Sequence, residues 1–136
     1  DLFLIGLDLT KNPKILYNAY NDSKGITAKF NLNILNRINR ELEANFDTSN
    51  FEHYAFYNEE ESRIEMHLRS MSNQTVQILK ANLSIELIKD ELIHTENSYK
   101  FSVSQIESML EDSDFDISEI WFDPRQYCAL VLAKRH

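Results

Sequence analysis

The hydrophobic period of this chain changes along its length. Residues 2–7, LFLIGL, form a short continuous apolar run ended by Asp8, the pattern of a strand buried on both faces. Asn12-Pro13 supplies an N-cap and a first-turn proline, so a helix is predicted to about Tyr20. After the turn-rich stretch 21–25, a second helix is predicted from Thr27 to about Ala44. Its apolar stripe is Ile26, Phe30, Ile34, Ile38 and Leu42, and FDTSN at 46–50 ends it. From Phe51 the period becomes two. Strands are predicted near 51–57, 63–71, 74–79, 83–88 and 91–99, joined by short polar turns as an antiparallel meander. Ser102 and Gln105 then make a capping box before a helix with Val103, Ile106, Met109 and Leu110 on its apolar face. Residues 115–122 and 127–133 read as two strands of a hairpin through Asp123-Pro124.

The ends of the chain therefore resemble each other and differ from the middle. The economical arrangement is an α/β chain, α+β as a fragment, with one sheet supplied from both ends. A lobe of two helices and an antiparallel sheet is inserted between them. The expected divisions are 1–9, 10–98 and 99–136.

Two stretches carry candidate chemistry. NEEESRIEMHLRS at 58–70 is an acidic turn followed by strict alternation, with Ile64, Met66 and Leu68 on one face and Glu65, His67 and Arg69 on the other. In TENSYKF at 95–101, Glu96 and Ser98 are two residues apart, so a strand sets a carboxylate and a hydroxyl on one face. An ionised carboxylate accepts hydrogen bonds and a hydroxyl donates or accepts beside it. Plainer readings stand next to these. Polar pairs are common on half-exposed strands, Met66 on an apolar face reads first as core, and Tyr20 reads as a packing residue.

Composition narrows the function. The chain has 136 residues, a net charge of −8 and scattered basic residues. That disfavours nucleic acid and anionic membranes, which need a basic stripe. No apolar run approaches the roughly 20 residues of a membrane span, and no signal peptide is visible, so a cytoplasmic location is expected. Cys128, the single cysteine, lies in YCALVLA; this predicts a buried reduced thiol and excludes a disulfide framework. Gly6 and Gly25 are the only glycines, too few for a phosphate or nucleotide loop. The run 59–61 reads as a solvated turn without calcium-loop spacing. His53, His67, His94 and His136 show no close pairing, so no metal site is expected. A nucleophile elbow or Cys-His arrangement is also missing. With no initiator Met and an apolar strand at its start, the chain reads as the back part of a longer protein.

Several segments, LIGLDLTKNPKILYNAYND, GITAKFNLNILNRINRELEANFD, FEHYAFYNEEESRIEMHLRS, TENSYKF and WFDP, resemble the histidine-specific S-adenosylmethionine-dependent methyltransferases, above all the histidine Nα-methyltransferases of ergothioneine biosynthesis. The resemblance runs through essentially the whole chain in order. It implies a Rossmann-like methyltransferase with a separate substrate lobe, of which this chain is the C-terminal part. The S-adenosylmethionine site is then expected upstream, with no catalytic residue in this chain. Carried over residue by residue, it implies that Glu96 and Ser98 hold a substrate imidazole, Met66 lies against its ring and Tyr20 helps grip the carboxylate. An indole-binding relative is expected to carry something smaller or apolar at the position of Glu96.

The leading expectation is thus N-methylation of the α-amine of histidine by the whole protein. The alternatives are another amino acid or small amine as acceptor, or a non-catalytic binding or assembly module when the chain stands alone. In isolation the fragment is expected to be inactive and to risk dimerising through exposed sheet edges.

Overall fold

The computed structural model describes residues 1–135; His136 lies outside the described residues. Two compact units are present, one from residues 1–13, 58–63 and 98 onward, the other from 14–57 and 64–97.

In the first unit, both ends of the chain contribute to one sheet. Strand β1 (Leu2–Asp8) pairs antiparallel with β8 (Cys128–Arg135), which pairs antiparallel with β7 (Phe115–Phe122), giving the order β1-β8-β7. The outer strands therefore run parallel to each other. A register shift between Ile117 and Glu119 marks a bulge in β7. Helix α3 (Val103–Glu111) lies on one face, where Ile106 and Leu110 meet Leu7, Leu9, Ala129, Val131 and Ala133. Its predicted capping box is present: Ser102 Oγ accepts from the Gln105 amide, and the Gln105 side chain accepts from the Ser102 amide.

The expectation of a first strand buried on both faces is corrected here. Only the face toward α3 is covered, and Leu2 and Leu4 on the other are 68% and 58% exposed. A continuous apolar run reports that both faces avoid water without saying what covers them. Cys128 is likewise exposed rather than buried, because its position in β8 alternates away from Ala129 and Val131.

The second unit begins with α1 (Pro13–Tyr20 as a whole element) and α2 (Ile26–Leu42). Gly25 precedes α2 with φ 65°, a conformation that favours glycine. Strands β2 (Phe51–Asn58), β3 (Arg63–Ser70) and β6 (Leu92–Tyr99) form a sheet in the order β2-β3-β6. Strands β4 (Gln74–Ile78) and β5 (Leu83–Leu87) pair only with each other as a hairpin. The expected single meander is thus two sheets, since β6 pairs with β3 and bypasses the intervening hairpin.

The predicted stripe of α2 also needs correction. Its packed side is Asn31, Leu32, Leu35 and Ile38, whereas Ile26, Phe30, Ile34 and Leu42 are exposed. Residues spaced strictly by four advance 40° per step round a helix turning 100° per residue, so they spiral off the core. Leu35 joins Phe46, Phe51, Leu68, Val76, Ile78 and Leu87 in the larger core of this unit. Among the described residues, no helix is long and apolar enough to cross a membrane.

Candidate functional site

Strand β3 is buried on both sides along most of its length. Ile64 and Met66 join Leu16 of α1 and Ala55 of β2 in a small core, with Tyr20 and Tyr57 packed against it. Met66 is 2% exposed and Tyr20 is partly buried, so the structure brings these two candidates into one cluster. The opposite face is closed as well. The Phe56 ring lies 5.7 Å from that of His67, tilted by only 11°, and the Tyr54 ring is 6.2 Å away. Glu65 and His67 are consequently buried, where alternation alone gave a polar face.

Glu96 sits in β6, where the alternation slips. His94 Nε2 donates to Asn97 Oδ1 at 2.8 Å, although residues three apart on a regular strand point to opposite sides. Thr95 and Glu96 both border a hollow of about 200 Å³ against α2, with Phe30, Asn31, Ile34 and Arg37 on its other walls. Phe30 and Ile34 of the exposed stripe of α2 thus border the same hollow as Glu96.

Asn31 holds this region together. Its Nδ2 donates to the His67 carbonyl at 2.9 Å and lies 2.9 Å from His53 Nδ1, while its Oδ1 accepts from Thr95 Oγ1 at 2.7 Å. The Thr95 hydroxyl also lies 2.9 Å from the Met66 carbonyl. His53 Nε2 donates to the Tyr20 carbonyl at 2.9 Å, which fixes the end of α1. One buried amide thus ties α2 to all three strands, an arrangement in which every member has a partner. Sequence reasoning missed Asn31; the only sign was a polar residue flanked at i+4 and i+7 by apolar ones.

Ser98 belongs to the first unit. Its hydroxyl accepts from Lys100 Nζ at 2.7 Å, and the same ammonium bridges to Asp8 Oδ2 at 2.9 Å. Lys11 pairs with the other oxygen of Asp8. Lys100 is 1% exposed, the most enclosed charged residue described. Burial pushes the Asp8 carboxyl up, but hydrogen bonds and charge from Lys11 and Lys100 outweigh it and hold it below the usual carboxylate range. Because an ammonium only donates, Ser98 must accept from Lys100 and direct its own proton elsewhere. Lys100, like Asn31, is a supporting residue that the sequence did not disclose.

The acidic run 59–61 is exposed, as the solvated-turn reading expects, with Glu61 3.5 Å from Arg63. The histidines depart from expectation: His67 and His94 have ring centroids 4.7 Å apart, stacked within 22°. Twenty-odd residues separate them in sequence, and only the pairing of β3 with β6 unites them. His136, the fourth histidine, lies outside the described residues.

In outline this is a mixed α/β chain in which Glu96, Phe30 and Ile34 border one small hollow. The comparisons place it further. The family model described as histidine-specific methyltransferase, SAM-dependent, matches residues 1–135, and the chain belongs to that family. It is 39% identical over 99% of its length to a histidine N-alpha-methyltransferase of Mycolicibacterium smegmatis, and 38% identical to that of Mycobacterium tuberculosis. An L-tryptophan methyltransferase of Psilocybe serbica is 28% identical over 97% of the chain. The chain spans 42% of the length of the two mycobacterial proteins and 37% of the fungal one.

Proposed function

We propose that this chain is the substrate-recognising part of an S-adenosylmethionine-dependent N-methyltransferase that acts on the α-amine of histidine. The whole-length family match carries the reading, and the two mycobacterial relatives named for histidine point to the acceptor. In this reading Glu96 accepts a hydrogen bond from the imidazole, and Ser98, held by Lys100, donates or accepts beside it. Tyr20 serves the carboxylate end. Met66 is enclosed by Leu16, Ala55 and Ile64, so its part is to fix the wall on which Tyr20 rests rather than to offer open surface.

These groups position rather than react. Methyl transfer from a sulfonium needs a neutral amine lone pair in line with the methyl carbon, and fixing both ends of the substrate supplies that alignment. S-adenosylmethionine brings the methyl group. The described residues do not fit a cradle for it: Gly6 lies within β1, Gly25 opens α2, and neither belongs to a glycine-rich strand-to-helix turn. In this reading the cofactor site lies in the part of the relatives' length that this chain does not span.

The test is a methyl-transfer assay of the whole protein against histidine, tryptophan and other amino acids. Histidine is expected to be preferred. Glu96→Ala is expected to raise the histidine KM about 10- to 100-fold, matching about 1.5–3 kcal/mol for a hydrogen bond to a charged group. An unchanged KM would remove Glu96 from the site. One observation favours a second acceptor: the apolar walls Phe30 and Ile34, together with the tryptophan-methylating relative, suit an indole. A preference for tryptophan in the same assay would replace the histidine reading.

A further inference from the structure

We propose that Glu65, His67 and His94 form a binding site for a divalent transition metal ion of the zinc class. Glu65 and His67 stand two apart on β3, so both project from the same face, and His94 joins them from the neighbouring strand β6. One donor atom from each side chain lies within 4.8 Å of the other two. Two imidazoles and a carboxylate are a donor set that zinc and its neighbours favour, and three protein ligands leave a position open for water or another group.

Two further observations point to an ion. His94 Nε2 faces the Glu96 carbonyl at 3.2 Å and Asn97 Oδ1 at 2.8 Å, both acceptors, so it carries the proton. In the neutral ring Nδ1 then bears a bare lone pair. Fixing a histidine tautomer through its second nitrogen is how metal-ligating imidazoles are commonly held. His67 supplies the other. Its ring is buried, and its Nε2 lies 3.8 Å from Glu65 Oε2, beyond hydrogen-bonding distance, so the nitrogen nearest the carboxylate is not committed to it.

Ligation requires the donors to draw in. Bonds of about 2.0–2.1 Å to a tetrahedral ion set donor atoms about 3.3 Å apart. Phe56 packs against the His67 ring, so His94, which is exposed, is the ring that swings out of the stack. The ion would clamp β3 to β6 two residues before Glu96. The inference does not depend on the proposed acceptor.

Titration of the chain with Zn²⁺ by calorimetry, and with Co²⁺ by absorption and NMR, tests it. One ion per chain is expected, with the His67 and His94 imidazole resonances shifted and broadened most by Co²⁺ and those of His53 less, since His53 is joined to His67 only through Asn31. His94→Ala, at an exposed position, should keep its circular dichroism and bind at least tenfold more weakly. Glu65→Gln should do the same if it folds; the His94 variant decides the matter if it does not. Absence of binding at submillimolar Zn²⁺, undiminished affinity in His94→Ala, or perturbation centred on His53 would overturn the proposal.

Discussion

Lys100 keeps a charge where almost no water reaches it, and Asp8 is the anion that makes this tolerable. The lysine side chain is 0% exposed and the aspartate 40%, so the enclosed charge is the cation. Removing the anion should therefore cost more than removing the pair. Asp8→Asn is expected to destabilise the protein by about 2 kcal/mol, below the 3–5 kcal/mol of a wholly buried pair because Asp8 is partly solvated. Adding Lys100→Met should restore most of the loss, since an apolar side chain of similar length fills the same space. Urea unfolding of both variants checks this. Acid should act like the first substitution. The folded Asp8 carboxyl lies below its unfolded value of 3.8, so its contribution is complete above that value and disappears as pH falls through the lowered one. The gap between wild type and Asp8→Asn should then close in acid; a gap of constant size would mean that Asp8 does not carry the effect. The sequence marked Ser98 through its family motif, whereas nothing in it singled out Lys100. Only the fold, bringing residues 8 and 100 together, shows what orients the serine.

Helix ends were legible because they are local. Ser102 and Gln105 are three residues apart and need no tertiary partner, so the capping box could be read directly; Ser102→Ala is expected to cost about 1 kcal/mol in thermal or urea unfolding. What depended on distant strands was not legible. The stripe of α2 was drawn by spacing, but the side that packs is set by the core at Leu68, Val76 and Leu87, and the buried second face of β3 is set by Tyr54, Phe56 and His94. The start of α2 rests on Asp22, whose carboxylate accepts from the Ile26 and Thr27 amides at 2.9 Å each. Those bonds lower its pKa to about 2. The cap is therefore fully formed above pH 3.8 and is lost as pH falls toward about 2. The Asp22 carboxyl NMR titration should centre there, and a midpoint at the ordinary value would show that the cap does not form. Gly25→Ala meets no atom within 4 Å but must hold φ 65°, so a loss of about 1 kcal/mol is expected from conformation alone.

The sheet of the first unit is covered on one side only. Opposite α3 it presents Leu2, Leu4, Trp121 and Leu130, all more than 40% exposed, and the free edge of β1 runs along the same sheet. Water-exposed apolar patches of this kind mark surfaces that a partner covers, and an unpaired edge strand is a template for another strand. Relatives more than twice as long have further chain to supply that cover. In the isolated chain a second copy is the available substitute. Sedimentation of the isolated chain should show a concentration-dependent dimer, and Leu4→Lys with Leu130→Lys should return it to monomer without changing its circular dichroism. A monomer at all concentrations would show that the face is stable in water. The same preparation tests where the cofactor binds. Calorimetry is expected to find no micromolar affinity for S-adenosylmethionine in the isolated chain and clear affinity in the whole protein. Micromolar binding by the isolated chain would move the cofactor site into these residues, and the first surface to search would be the hollow of about 500 Å³ bordered by Gly6, Asp8, Trp121, Asp123 and Leu130.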